Sequence, residues 1–69
     1  MYKNLKREMK KRGVLSSEIA ELLGVRRETI YNKINGQISI GFTLDEALKI
    51  KEKYFPDMSI ELLFEREGE

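Results

Sequence analysis

The feature that most narrows the possible folds is a very short join between two helical stretches. Leu23-Gly24-Val25-Arg26 leaves almost no chain between one apolar-periodic run and the next. Gly24 stands where the backbone needs a positive φ to change direction without steric cost. Ala20, four residues earlier, is small enough to let a following helix cross closely, and Val25 and Ile30 are expected to fill the wedge between the two. The spacing Ala-x3-Gly-x5-Ile is what two short helices packed about a tight turn need mechanically. It also fits many ordinary helical hairpins, so the rest of the chain has to decide what the pair is for.

Five short helical segments can be read, and no run alternates convincingly enough for a strand. The first spans about Tyr2 to Arg12, with Tyr2, Leu5 and Met9 on one face; Lys10, Lys11 and Arg12 suit the negative end of its dipole, and Gly13 stops it. The second, about Ser16 to Leu23, turns Ile19, Leu22 and Leu23 to one side with Ala20 beside them, and Ser16 or Ser17 caps its start. The third, about Arg27 to Asn35, has Ile30 and Ile34 one turn apart and ends at Gly36. Thr43-Leu44-Asp45-Glu46 is a capping box that opens the fourth, whose apolar positions are Leu44, Ala47, Leu48, Ile50, Tyr54 and Phe55; Pro56 ends it. Ser59 opens a last short helix with Ile60, Leu63 and Phe64 inward, and residues 65–69 read as a frayed tail. No repeat or low-complexity run is present, and the 69 residues suit one domain.

Composition excludes more than it selects. There is no Cys and no His, which removes disulfides, thiol chemistry, the commonest general base and the usual zinc ligands. A chain of this size holds no deep catalytic cavity, and the carboxylates of Asp45, Glu46 and Glu61 fall at a cap or on helix exteriors. The reading is therefore not an enzyme, with no metal, no cofactor and no small-molecule ligand. No apolar stretch has the length of a signal peptide or a membrane span, and the expected location is the cytoplasm, away from membranes. The net charge of +1 conceals a split. Residues 1–33 carry nine basic groups against four acidic, net +5; residues 34–69 carry four against eight, net −4. A basic half for a polyanion and an acidic, solubilising remainder is one explanation; an accidental bias on a solvated surface is the other.

The stretch Ile19-Ala20-Glu21-Leu22-Leu23-Gly24-Val25-Arg26-Arg27-Glu28-Thr29-Ile30-Tyr31-Asn32-Lys33-Ile34-Asn35-Gly36 resembles the core of the lambda-repressor and Cro type of helix-turn-helix domain, also called the xenobiotic-response-element type. Phe42 to Ile50, with Tyr54-Phe55-Pro56-Asp57 and Ser59-Ile60-Glu61, is similar to the continuation found in small prophage-type regulators of that family. The resemblance implies a compact, all-α, five-helix fold with its helix-turn-helix at about 16–36. It also implies a third helix that enters the major groove of double-stranded DNA, a homodimer on a two-fold-symmetric operator, and a regulator of transcription, typically a repressor.

With Ile30 and Ile34 inward, Glu28 and Asn32 point most directly away, flanked by Thr29, Tyr31 and Asn35. Carried over by position, Arg27, Glu28 and Asn32 occupy the family's base-reading sites. Arg27 suits a guanine edge and Asn32 an adenine edge, while Glu28 either accepts from cytosine or orients Arg27. Tyr31 either meets a thymine methyl or a phosphate, or packs across the helix. Phosphate contacts are expected from Ser16 and Ser17 at the start of the second helix, from Arg26, Thr29 and Lys33, and from the turn Asn35-Gly36, with Lys10, Lys11 and Arg12 as electrostatic helpers.

Two positions depart from the family pattern. Arg26 stands where a Ser or Thr cap is usual, which weakens that cap by ~1 kcal/mol, and Leu15 stands where the second helix is commonly capped. The last helix carries four apolar residues in five, more than one inward face hides, so Leu62 or Phe64 is expected at a dimer interface. A rival reading keeps the fold but makes it a protein-binding helical module, such as an antitoxin or adaptor, with its apolar patch at residues 60–64.

Overall fold

The computed structural model describes residues 1–66. Five helices follow in order: α1 (Lys3–Arg12), α2 (Ser16–Leu23), α3 (Arg27–Ile34), α4 (Leu44–Tyr54) and α5 (Ile60–Leu63), with no strand among the described residues. Their ends are set locally. Gly13 and Gly24 adopt the left-handed conformation that closes α1 and α2. Thr43 and Glu46 form the expected reciprocal capping box: the Glu46 amide donates to Thr43 Oγ1 at 3.2 Å, and the Thr43 amide donates to Glu46 Oε1 at 2.9 Å.

Three boundaries differ from expectation. Tyr2 lies outside α1 as its cap, and Asn35 lies just past α3. Neither Ser16 nor Ser17 caps α2; the cap is Leu15, whose amide donates to the Glu18 carboxylate at 2.8 Å. A glutamate one turn in thus holds the cap residue's own amide, while no side-chain hydroxyl caps the first-turn amides. Arg26 caps α3 with no side-chain hydrogen bond.

The core gathers Leu5 and Met9 from α1, Ile19 and Ala20 from α2, Ile30 and Ile34 from α3, Ile50 from α4, Phe55 after it, and Leu63 from α5. Burial of such a side chain stabilises the fold by roughly 1.5–3 kcal/mol. Val25 is 38% exposed and Ile30 fully buried, so Ile30 alone fills the wedge that both were expected to share. Leu44 and Leu48 also face outward, because α4 turns only its Ala47 and Ile50 stripe to the core.

Polar links tie the helices together. Arg12 donates to both carboxylate oxygens of Asp57 at 2.8 and 2.7 Å and to the Tyr54 carbonyl at 3.1 Å, stapling the end of α1 to the chain beyond α4. These hydrogen bonds hold the Asp57 carboxyl below its ordinary pKa and raise that of Arg12. Asn4 Nδ2 donates to the Leu62 carbonyl at 2.8 Å, fastening α1 to α5. The rings of Tyr2, Phe42 and Phe64 cluster with centroids 5.1–6.0 Å apart. The guanidinium of Arg66 lies 5.2 Å above Tyr2, and its Nη2 donates to the Ser39 carbonyl at 3.1 Å. Of the tail expected to fray, residues 65–69, Arg66 thus packs on the body of the fold, and residues 67–69 lie outside the described part. No helix among the described residues is long and apolar enough to cross a membrane.

Candidate nucleic-acid interface

Only three residues separate α2 from α3, so the start of α2 comes to stand beside the outer face of α3. Between them lies an open cleft of about 550 Å³, lined by Leu15, Ser16 and Ser17 on one side and Arg27, Glu28, Tyr31 and Asn32 on the other. Helix periodicity explains most of the second wall. Burying Ile30 and Ile34 turns Glu28 and Asn32 to the opposite face with Tyr31 flanking them, while Arg27, on the side of Ile30 but at the exposed first position of α3, reaches the cleft from the helix start. All four residues expected to read bases thus meet the two serines expected to touch phosphate.

The chemistry of this cleft is available rather than internally satisfied. Arg27 and Glu28 are exposed and no ion pair joins them, so Glu28 does not orient Arg27 in this structure. Tyr31 is 55% exposed, which disfavours the reading that it packs across the helix. At the first turn of α2 the amides of Ser16 and Ser17 have no carbonyl one turn back to bond, and the helix dipole adds partial positive charge there. Arginine, amide and hydroxyl groups on a convex helix beside a helix start make a set of donors suited to an anionic, edge-presenting ligand. Among the described residues no His, Cys, Asp or Glu cluster could hold a metal ion.

The remaining predicted residues fall elsewhere. Arg26 is exposed at the start of α3, and Thr29 is half-buried outside the cleft. Lys33 differs from expectation: its side chain is only 14% exposed, with Nζ 3.5 Å from Glu46 Oε1 and 5.5 Å above the Phe42 ring. Its ammonium ties α3 to the capping box of α4 instead of reaching outward. Asn35 is engaged as well, accepting from Lys6 Nζ at 2.7 Å and donating to the Tyr31 carbonyl at 2.9 Å. Gly36 is exposed, but its amide already donates to the Lys33 carbonyl at 3.3 Å. Of the basic helpers, Arg12 is held by Asp57, and Lys11 lies 3.7 Å from Glu8. Leu62 is exposed, whereas Phe64 is half-buried within the aromatic cluster.

Sequence reasoning did not find two features. Leu15 is 61% exposed and forms an apolar wall of the cleft, although its position before the helix start is visible in the sequence. Lys6 reaches α3 through Asn35, a link that no local pattern announces. Comparison with known proteins finds no matching family model, no similar curated protein and no similar solved structure.

Proposed function

We propose that this protein is a sequence-specific double-stranded DNA-binding regulator of transcription, of the phage or prophage repressor kind. In this reading α2 and α3 form a helix-turn-helix, and α3 lies in the major groove. The observation that supports it best is the division of labour in an eight-residue helix. Ile30 and Ile34 are buried, while Arg27, Glu28, Tyr31 and Asn32 face a cleft whose opposite wall is the start of α2. Arg27 contacts a guanine edge and Asn32 an adenine edge; Ser16 and Ser17 fix the register by binding phosphate. Glu28 accepts from cytosine. The charge split agrees with this assignment, since α1 to α3 carry the basic half of the chain.

The regulator acts as a homodimer, with Leu62, 60% exposed on α5, in the contact between copies. Phe64 supports that contact from within rather than across it. The protein works in the cytoplasm without a cofactor or small-molecule effector.

In vitro selection from random duplex DNA tests the proposal. The expected product is an inverted repeat with half-site centres about 34–36 Å apart, or a multiple of that. No enrichment, together with uniform, salt-sensitive binding, rejects sequence-specific reading. One observation favours the rival reading of a protein-binding module: a cleft of about 340 Å³ between α4 and α5 includes Phe42, Leu44, Ala47, Ile60 and Phe64. Under that reading selection fails and Leu44→Lys removes the partner.

A further inference from the structure

We infer that the DNA path continues beyond the α2/α3 cleft onto α1, where Lys6 and Lys10 hold phosphates outside the segment that α3 reads. This rests on the DNA-binding reading above and extends it along α1, where Lys10 was expected only as a general electrostatic helper and Lys6 had no expected role. The geometry is one of shared walls. Leu15, Ser16 and Tyr31, at the end of the first cleft, also line a second groove of about 250 Å³ whose other side carries Lys6 and Lys10. Those two lysines in turn border a third hollow of about 410 Å³ with Lys3 and Arg7. The three depressions follow one another from the outer face of α3 along α1, each sharing wall residues with the next.

Along α1 the charged lining is basic among the described residues. Leu5 and Met9 are buried, so positions 3, 6, 7 and 10 lie on the exposed side of α1 at intervals of three and four residues. Among the described residues no acidic side chain lines either hollow on α1. The single acidic residue of α1, Glu8, is held at 3.5 Å by Arg7 and 3.7 Å by Lys11. Lys10 makes no ion pair or side-chain hydrogen bond among the described residues, and Lys6 is steadied towards α3 by Asn35. Lys6 and Lys10 are one turn apart, roughly 6 Å along the axis, a step suited to neighbouring phosphates of one strand. Between the lysines and α3 the floor is apolar, made by Met9, Val14 and Leu15. Cationic rims over an apolar floor match a sugar-phosphate backbone, with deoxyribose against the floor and phosphates at the rims.

Affinity is measured against salt on two duplexes, the selected site alone and the same site with unrelated flanking sequence. Wild type, Lys10→Gln, Lys6→Gln/Lys10→Gln and a control, Lys49→Gln/Lys53→Gln, are compared, with thermal melts to confirm that each folds. Wild type is expected to bind the flanked duplex more tightly. The Lys6→Gln/Lys10→Gln variant loses that gain, and its salt slope falls by about 1.8, from about 0.9 per phosphate contact. Between roughly 50 and 200 mM salt it then loses about tenfold less affinity than wild type. Lys10→Gln, which leaves the Asn35 contact intact, lowers the slope by about 0.9, and the control lowers it not at all. Sequence-selective binding with wild-type slope and length dependence in Lys6→Gln/Lys10→Gln overturns this inference and leaves the DNA reading standing. Failure of wild type to bind any duplex rejects both. Lys10-dependent binding of a polyglutamate peptide in place of DNA makes the partner an acidic protein and also overturns it.

Discussion

Gly41→Ala is expected to be among the most damaging small substitutions in this chain, for a reason that owes nothing to backbone strain. The φ of Gly41 is outside the positive region, so alanine fits the backbone. What it meets is Tyr2: an added Cβ would fall on the Tyr2 hydroxyl, 3.1 Å from Cζ and 3.0 Å from an Arg66 nitrogen. The Arg66 tip swings aside, but Tyr2 is buried, packs on Phe42 and Phe64, and accepts from the Phe42 amide at 2.9 Å. Its own amide donates to the Ile34 carbonyl at 2.9 Å, so displacing Tyr2 also disturbs the end of α3. Losing the hydroxyl contact and leaving a half-buried amide without its acceptor costs about 1–2 kcal/mol, and forcing the ring aside adds a similar amount. The sum, roughly 2–4 kcal/mol, is a large share of the roughly 3–10 kcal/mol expected for a domain of this size. Tyr2→Phe removes the obstructing oxygen at about 1–2 kcal/mol, after which Gly41→Ala needs only a small ring shift and costs about 1 kcal/mol. Urea titrations of the four proteins, followed by helical circular dichroism, measure the cycle. A coupling of about 1–3 kcal/mol in the sense of rescue is expected. Gly24→Ala is the comparison: with φ at +71° and nothing within 4 Å of the added carbon, it costs about 1–2 kcal/mol through backbone strain alone. Its cost is indifferent to Tyr2→Phe. An equal cost for Gly41→Ala in both Tyr2 backgrounds would refute the steric account.

Three further outcomes follow from the same geometry. Arg27→Ala is expected to weaken binding to the selected site by roughly 1–3 kcal/mol and to relax preference at one base pair, read by repeating the selection with the variant; uniform weakening across all duplexes contradicts a base-reading role. Lys33→Ala is expected to lower unfolding free energy by about 1 kcal/mol, because it uncovers Phe42 and leaves Glu46 without its ion pair, while the salt slope of DNA binding stays at the wild-type value. Asp57→Asn is expected to lower the melting temperature at neutral pH. Because the native carboxyl titrates below its ordinary value, the stabilisation is complete above the ordinary carboxylate range and is lost as pH falls through that lowered value, where the gap between variant and wild type closes; a gap that persists in acid contradicts the pairing with Arg12.

How much of this was legible in the amino-acid order depends on the range of the physics involved. Helix ends that rest on a glycine or a reciprocal cap could be read directly, as Gly13, Gly24 and the Thr43–Glu46 box illustrate, because the partners lie within one turn of each other. Much of the outward face of α3 was equally legible, since burying Ile30 and Ile34 turns Glu28 and Asn32 outward with Tyr31 flanking them, whereas Arg27 is exposed through its place at the helix start.

What only the tertiary structure decided is which charged and apolar groups remain available once distant segments meet. Arg12 and Lys33 look like any other basic residue in the chain, yet Asp57, 45 positions away, and Glu46, 13 positions away, draw them into internal pairs. Lys10 meets no such partner among the described residues and stays open to solvent. In the same way Leu15 becomes a cleft wall rather than core, and Phe64 joins Tyr2 and Phe42 while Leu62 faces out. Local sequence sets backbone geometry because the interactions involved act within a few residues. It does not set the fate of a long side chain, whose partner is chosen by packing between helices.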